Sequence, residues 1–359
     1  MINKKKWIFL VVLLVMVILI RLFSANSFIA ERYYSTGFYP NTAIFFRSLT
    51  GWLPFSLGDL LYGAVVIWLL FKVAKGIKAL LKKQVSWQSL VNTFSETIIV
   101  LLIIYVVFNV FWGINYNRRG IAAQLGLPME KYSTQDLKTL NTMLLQKVNE
   151  SKAASLQYAP VVLISKEIFK GAAEAYSEVY KKYHFLQYNT KNIKISLWGW
   201  VGNYAGFTGY YNPFTGEAQV NTTIPKFLQP FTTCHEIGHQ IGYAKENEAN
   251  FVGYLAATSS KDSSFLYSAY LDLFLYAYRN LYSVDSTAAK ELAHQLLPAV
   301  KADLKELSNF NRRHQNPFEP VIRWMYGKYL QSNQQPSGVL SYDEVTGLLI
   351  AYYKKYGSL

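Results

Sequence analysis

Three stretches of the chain are almost free of charge, and they set its organisation. The first is an unbroken apolar run from Trp7 to Ile20, preceded by Lys4, Lys5 and Lys6, closed by Arg21 and continued by Leu22 and Phe23. The second runs from about Leu57 to Val73 and the third from about Thr97 to Ile114. Runs of this kind predict membrane-spanning helices at about 7–23, 57–73 and 97–114, because only a helix satisfies its own backbone in lipid. The first run reads either as a signal-peptide core or as an uncleaved anchor. Arg21 fits a cleavage region poorly and favours the anchor, with its own head snorkelling to water. Between the first two runs, residues 25–56 are aromatic and nearly uncharged, with Tyr33, Tyr34, Phe38, Tyr39 and Trp52. That composition predicts a segment lying at the membrane interface.

Beyond Tyr116 the pattern becomes polar and globular. Ser133–Ser151 and Lys166–Lys182 carry apolar residues at helical spacing. Strand character falls on Val161–Ile164, on Ile193–Trp200 and on the two sides of Asn212-Pro-Phe-Thr-Gly216. In that hairpin, alternation places Ala218 and Val220 inward and Glu217, Gln219 and Asn221 toward water. Helical pattern then covers Ser264–Tyr282, Thr287–Leu307, Val321–Gln331 and Tyr342–Lys354. The expected fold is α+β, mostly α. Residues 1–116 form a membrane region, and residues 117–359 a domain with a small sheet and a helical C-terminal part.

Charge adds a direction. The chain has 36 Lys and Arg against 22 Asp and Glu, a net charge of +14, in a composition that is 51% hydrophobic. In so apolar a chain the excess anchors the protein at anionic lipid rather than nucleic acid, for which no motif is present. Lysines cluster before the first run and, as Lys75, Lys78, Lys82 and Lys83, between the second and third. These segments are expected in the cytoplasm, with everything after Tyr116 outside it. The single cysteine, Cys234, excludes an intrachain disulfide and reads as a buried helix residue.

The chemistry gathers in Cys234-His-Glu-Ile-Gly-His-Gln-Ile-Gly242. On a helix, His235 and His239 lie four residues apart on one face and can grip one metal ion, with Glu236 beside the open position. Zn²⁺ suits that set, since its catalytic sites use three protein ligands and a water. The bland alternative is that Thr233 and Glu236 form a capping box at a helix start, with surface histidines beside it. Gly242 is a natural helix stop, so the chain can fold back into a second helix beginning near Lys245. On it Glu246 would be the third ligand. Asn250, one turn on, would accept a proton from the back of a ligand histidine, with Ala249 and Gly253 allowing close approach. Glu248 stands about 200° from Glu246 around such a helix and is the other candidate ligand.

His235-Glu-Ile-Gly-His239 with Glu246-Asn-Glu-Ala-Asn250 resembles the HExxH…ExxA(D/N) signature of gluzincins, a branch of the zincin metallopeptidases. More narrowly, the chain is similar to a bacterial family of membrane proteins with an extracytoplasmic zinc-peptidase-like domain and no established substrate. Trp112-Gly-Ile-Asn-Tyr116, Gly209-Tyr-Tyr-Asn-Pro-Phe-Thr-Gly-Glu-Ala218 and Ser341-Tyr342 carry that likeness. One departure stands out: most gluzincins place the third ligand tens of residues downstream, whereas Glu246 follows His239 by seven. The resemblance implies a zincin-like domain and an edge strand ahead of the motif helix that pairs with extended substrate. It also implies an oxyanion donor from the later helices, where Tyr342, Tyr326, His314 and Arg323 are candidates and Tyr342 leads.

The expected function is a membrane-anchored zinc peptidase of the inner membrane that acts on peptide or protein substrates. Glu236 is its general base, Tyr342 its auxiliary donor, and His235, His239 and Glu246 its metal ligands. A non-catalytic zinc-stabilised envelope protein is the competing class, although a structural site needs no general base. An intramembrane protease is disfavoured, because Pro225, Lys226, Lys245 and Glu246 flank the motif. The topology is open to test. An alkaline-phosphatase fusion after Gly120 is expected to be active and one after Lys83 inactive; the reverse pattern would put the metal motif in the cytoplasm.

Overall fold

The computed structural model describes residues 4–157 and 164–359. All but the last residue of the strand expected at Val161–Ile164 lies outside the described residues. The architecture is mostly helical, with one small sheet. Three helices are long and apolar enough to cross a membrane: Lys4–Ser24, Leu57–Leu81 and Trp87–Phe111. The last two are longer than their apolar runs, since polar ends continue the helix past the lipid-compatible stretch. Lys75 and Lys78 therefore sit on the second helix itself, with Lys82 and Lys83 just beyond it. The first and third helices pack together, and Lys6 Nζ meets Glu96 at 2.9 Å near their far ends. Along its apolar window the second helix buries nothing.

The sheet has the order β1-β3-β2, with β1 at Ile193–Ile195, β2 at Gly209–Asn212 and β3 at Glu217–Val220. β1 runs parallel to β3 and β2 antiparallel to it, in the register Tyr210 to Gln219. The strand expected over Ile193–Trp200 ends early because a short helix, Gly199–Ala205, takes its second half. A larger correction concerns β3. Glu217, Gln219 and Asn221 do not face water; all are buried, because β3 is the central strand and its far face is covered. The cover is the start of the second apolar helix. Leu57 and Gly58 donate their backbone N–H groups to the Glu217 carboxylate at 3.0 and 2.6 Å, placing an anion at a helix N-terminus.

Residues 25–56, expected at the membrane interface, keep Tyr33, Phe38, Phe45 and Trp52 exposed and also build part of the globular framework. A π-helical turn (Ala30–Phe38) and the helix Tyr39–Thr50 bury Tyr34, Tyr39 and Arg47. Tyr39 and Arg47 both donate to the carbonyl of Gln240, at 2.9 and 3.0 Å. Glu31 forms a bidentate pair with Arg118, at 3.1 and 2.8 Å, and Arg118 also donates to the carbonyl of Gly242 at 2.9 Å. The site thus rests on residues from both sides of position 116.

The main core lies among helices Thr134–Gln157, Ser165–Tyr180 and Ser263–Val284 and the two motif helices, filled by Leu144, Ile168, Tyr176, Phe251 and Phe274. The helix expected over Thr287–Leu307 divides into Ser286–His294 and Pro298–His314, because Pro298 starts a new helix in place of continuing one. Tyr342 closes a 3₁₀ turn, Gly338–Tyr342, ahead of the last helix, Val345–Tyr356.

This framework makes residues 27–59 indispensable. A fragment beginning at Asn117 loses the Glu31 partner of Arg118 and the Tyr39 and Arg47 donors to the Gln240 carbonyl. The fragment is expected to show no cooperative thermal transition, whereas the full chain in detergent does. A fragment with cooperative melting and a native near-ultraviolet dichroism spectrum would contradict this.

Candidate metal centre

The motif helix spans Gln229–Gln240, with Pro230 in its first turn where the missing N–H costs nothing. Thr233 therefore lies inside the helix, donating to the Gln229 carbonyl at 2.7 Å, and the capping-box reading of Thr233 and Glu236 falls. Ile241 and Gly242 end the helix, and Gly242 has φ of +95°, in the left-handed region open to glycine. The second motif helix, Glu246–Thr258, starts behind Lys245, as its pattern predicts. It packs closely on the first: a Cβ at Gly253 would come within 3.0 Å of the His235 backbone nitrogen.

The two imidazoles stand 4.7 Å apart, centroid to centroid. His235 Nδ1 lies 2.7 Å from Asn250 Oδ1, and His239 Nδ1 lies 2.8 Å from the carbonyl of Tyr243. Both acceptors hold a proton on Nδ1, so Nε2 is the nitrogen that each ring would turn to a metal. Glu246 Oε2 lies 3.3 Å from His235 Nε2 and 3.5 Å from His239 Nε2. Ligand atoms about 2.0–2.1 Å from a tetrahedral zinc lie about 3.3 Å apart, which matches the two distances from Glu246, and the three ligand atoms all lie within 4.8 Å of one another. Glu246 Oε2 is buried and has no hydrogen-bond partner, a condition that a cation resolves. Among the described residues, His235, His239 and Glu246 are the group arranged to hold a metal.

The electrostatics point the same way. Burial raises the Glu236 carboxyl to about 7, against the opposing pull of His235 and His239. Burial alone would depress His239, but the carboxylates of Glu246 and Glu236 outweigh it and hold the imidazole up at about 9. Burial also opposes ionisation of Glu246, yet the two histidines keep it well below the usual carboxylate range. A buried cluster with this balance favours positive charge at its centre. Glu236 itself has one carboxylate oxygen without a partner, and its other oxygen crowds Gly209 so closely that a Cβ there would lie 2.6 Å away.

Glu248, the competing ligand, points elsewhere. It is buried against Gly120 in the neighbourhood of Arg118, and burial raises its carboxyl above the ordinary range. The two leading tyrosines both reach the site. Tyr326 Oη donates to Glu246 Oε1 at 2.8 Å, and Tyr342 Oη lies 3.2 Å from Tyr326 Oη, with its ring stacked on that of His235. His314 and Arg323 are not brought in: His314 bonds the Phe310 carbonyl and packs on Tyr204, while Arg323 pairs with Glu319 on the surface. His184 and His294 are exposed, as expected. Cys234 is buried with its thiol pushed far up by burial, which leaves it neither ligand nor nucleophile.

Sequence reasoning passed over several residues of the site. Trp112, one position past the third apolar helix, donates to the His239 carbonyl at 3.3 Å and sets its ring edge-on to the imidazole. Gly209, Tyr210 and Tyr211 of the edge strand β2 wall a cleft of about 140 Å³ over the metal group, opposite Tyr326 and Tyr342. The aromatic repeats of Trp112–Tyr116 and Gly209–Tyr211 were visible, but nothing in them stated which cavity they line.

Residues 34–350 match the family described as "Protein of unknown function (DUF3810)", and the chain belongs to it. No curated protein and no solved structure matches the chain.

The geometry ranks the ligands. Glu246→Ala is expected to abolish stoichiometric zinc binding by the full chain. Asn250→Ala should weaken it by roughly 10- to 100-fold, and Glu248→Ala should leave it nearly unchanged. A zinc titration in which Glu248→Ala is the most damaging of the three would overturn the assignment.

Proposed function

We propose that the protein is a membrane-anchored, zinc-dependent peptidase of the HExxH type, with a gluzincin-like site held outside the cytoplasm. The observation that carries this reading is Glu236. It is buried beside a three-ligand group and packed against Gly209 of the edge strand in the lining of the cleft, and a purely structural metal site requires no such carboxylate. When bound by His235, His239 and Glu246, zinc supplies a Lewis acid and an acidified water.

The remaining work falls to the chain's own residues. Glu236 takes a proton on its unpartnered oxygen during attack on a peptide carbonyl and returns it to the leaving amine. The outer edge of β2 offers backbone groups to an extended polypeptide, fixing the scissile bond by strand addition. Asn250 and the Tyr243 carbonyl hold both imidazoles in one tautomer. Tyr326 fixes the Glu246 carboxylate, and Tyr342 is the adjacent hydroxyl, which rotates to donate to the developing oxyanion.

Glu236→Gln in the full, detergent-solubilised chain is expected to retain zinc and its melting temperature while hydrolysis of an unstructured polypeptide falls by roughly 10²- to 10⁴-fold. Unchanged hydrolysis in that variant would remove Glu236 from the chemistry. Zinc retention with no hydrolysis by the wild type would leave a structural site.

A further inference from the structure

A second cavity, of about 640 Å³, adjoins the cleft. The two share Phe108, Tyr116, Pro213 and Tyr329 as a common wall, in which the hydroxyls of Tyr116 and Tyr329 meet at 3.1 Å. The far wall of the larger cavity comes from all three apolar helices: Arg21 and Ser24 at the end of the first, Tyr62 near the start of the second, and Tyr105 and Asn109 in the last turns of the third. It thus sits where the helices meet the domain, between the packed first and third helices on one side and the unaccompanied second on the other.

The metal group lies at the same level. Trp112 immediately follows the third helix and contacts His239. The surplus length of this 25-residue helix lies at its polar start, Trp87–Glu96, so its apolar end at Phe111 meets the edge of the hydrocarbon core and sets His235, His239 and Glu246 near the headgroup zone. Around the cleft, Trp198 packs over Gly63 of the second helix, and Trp198, Trp200, Phe318 and Trp324 expose their rings, the residues favoured at a bilayer interface. A cavity walled by all three spans, lined by both aromatic and hydrogen-bonding side chains and separated from the edge-strand cleft only by side chains such as Tyr116 and Tyr329, suits a polypeptide leaving the membrane more than a free one in water.

Building on the peptidase reading, we infer that the substrate is another membrane-anchored polypeptide. Its transmembrane helix docks between the second helix and the first–third pair, and its extended juxtamembrane stretch passes through the cavity to β2. An extended chain covers about 3.3–3.6 Å per residue, so cleavage falls within about ten residues of the membrane edge.

The test uses the full zinc-loaded chain in nanodiscs with a single-span polypeptide carrying one unstructured cleavable sequence twice. One copy follows directly after the span and the other lies about 40 residues further on. The proximal copy is expected to be cut roughly tenfold faster than the distal one, and Ser332→Trp, which narrows the cavity, should reduce that ratio. In the Glu236→Gln background, a photo-crosslinker placed at Asn333 should capture the anchored polypeptide. Equal cutting of both copies, or capture of lipid alone, overturns delivery from the membrane and leaves the peptidase reading standing. Cutting of neither copy removes both.

Discussion

The last carbonyls of the motif helix are the constraint on which this structure depends. A helix ends with C=O groups that have no partner within it, and buried ones must find donors elsewhere. Here Trp112 reaches the carbonyl of His239, Tyr39 and Arg47 reach that of Gln240, and Arg118 reaches that of Gly242. All four come from the first third of the chain, and two are cations placed where the helix dipole welcomes them. The helix that carries both histidines is therefore closed by the membrane-proximal segment. From the other direction, Glu217 of the sheet caps the second apolar helix. Membrane region and domain complete each other's hydrogen bonding, and the metal group lies at their junction.

What could be read from sequence was what depends on short-range geometry. The four-residue spacing of His235 and His239, the stop at Gly242, the restart near Lys245 and the shared face of Glu246 and Asn250 follow from helix periodicity, and each is found in the structure. The failures involve partners distant in sequence. Alternation in β3 suggested an exposed face for Glu217, Gln219 and Asn221, but burial of that face depends on a helix 160 residues earlier in the chain. In the aromatic segment 25–56, composition does not reveal that Tyr34 and Tyr39 turn inward while Tyr33, Phe38, Phe45 and Trp52 stay exposed. Nor does the sequence show that Tyr326 bonds Glu246 directly while Tyr342 stands one hydroxyl behind it.

The functional reading joins a local chemistry to a location. Two imidazoles locked in one tautomer, a ligand carboxylate oriented by tyrosine and a second buried carboxylate beside an edge strand are the parts needed to activate water against an extended chain. They lie next to the end of a helix long and apolar enough to cross a membrane. Both imidazoles and the Glu246 carboxylate are held by hydrogen bonds, so tolerance to change at their partners Asn250 and Tyr326 should be low.

The claim on which everything else rests is that His235, His239 and Glu246 hold one zinc ion. Zinc K-edge X-ray absorption on the full chain in detergent measures that ligand set directly. The account predicts two imidazole nitrogens at about 2.0–2.1 Å with oxygen completing the shell at about 2.0–2.2 Å. A shell containing sulfur at about 2.3 Å, or one with fewer than two imidazoles, would contradict it.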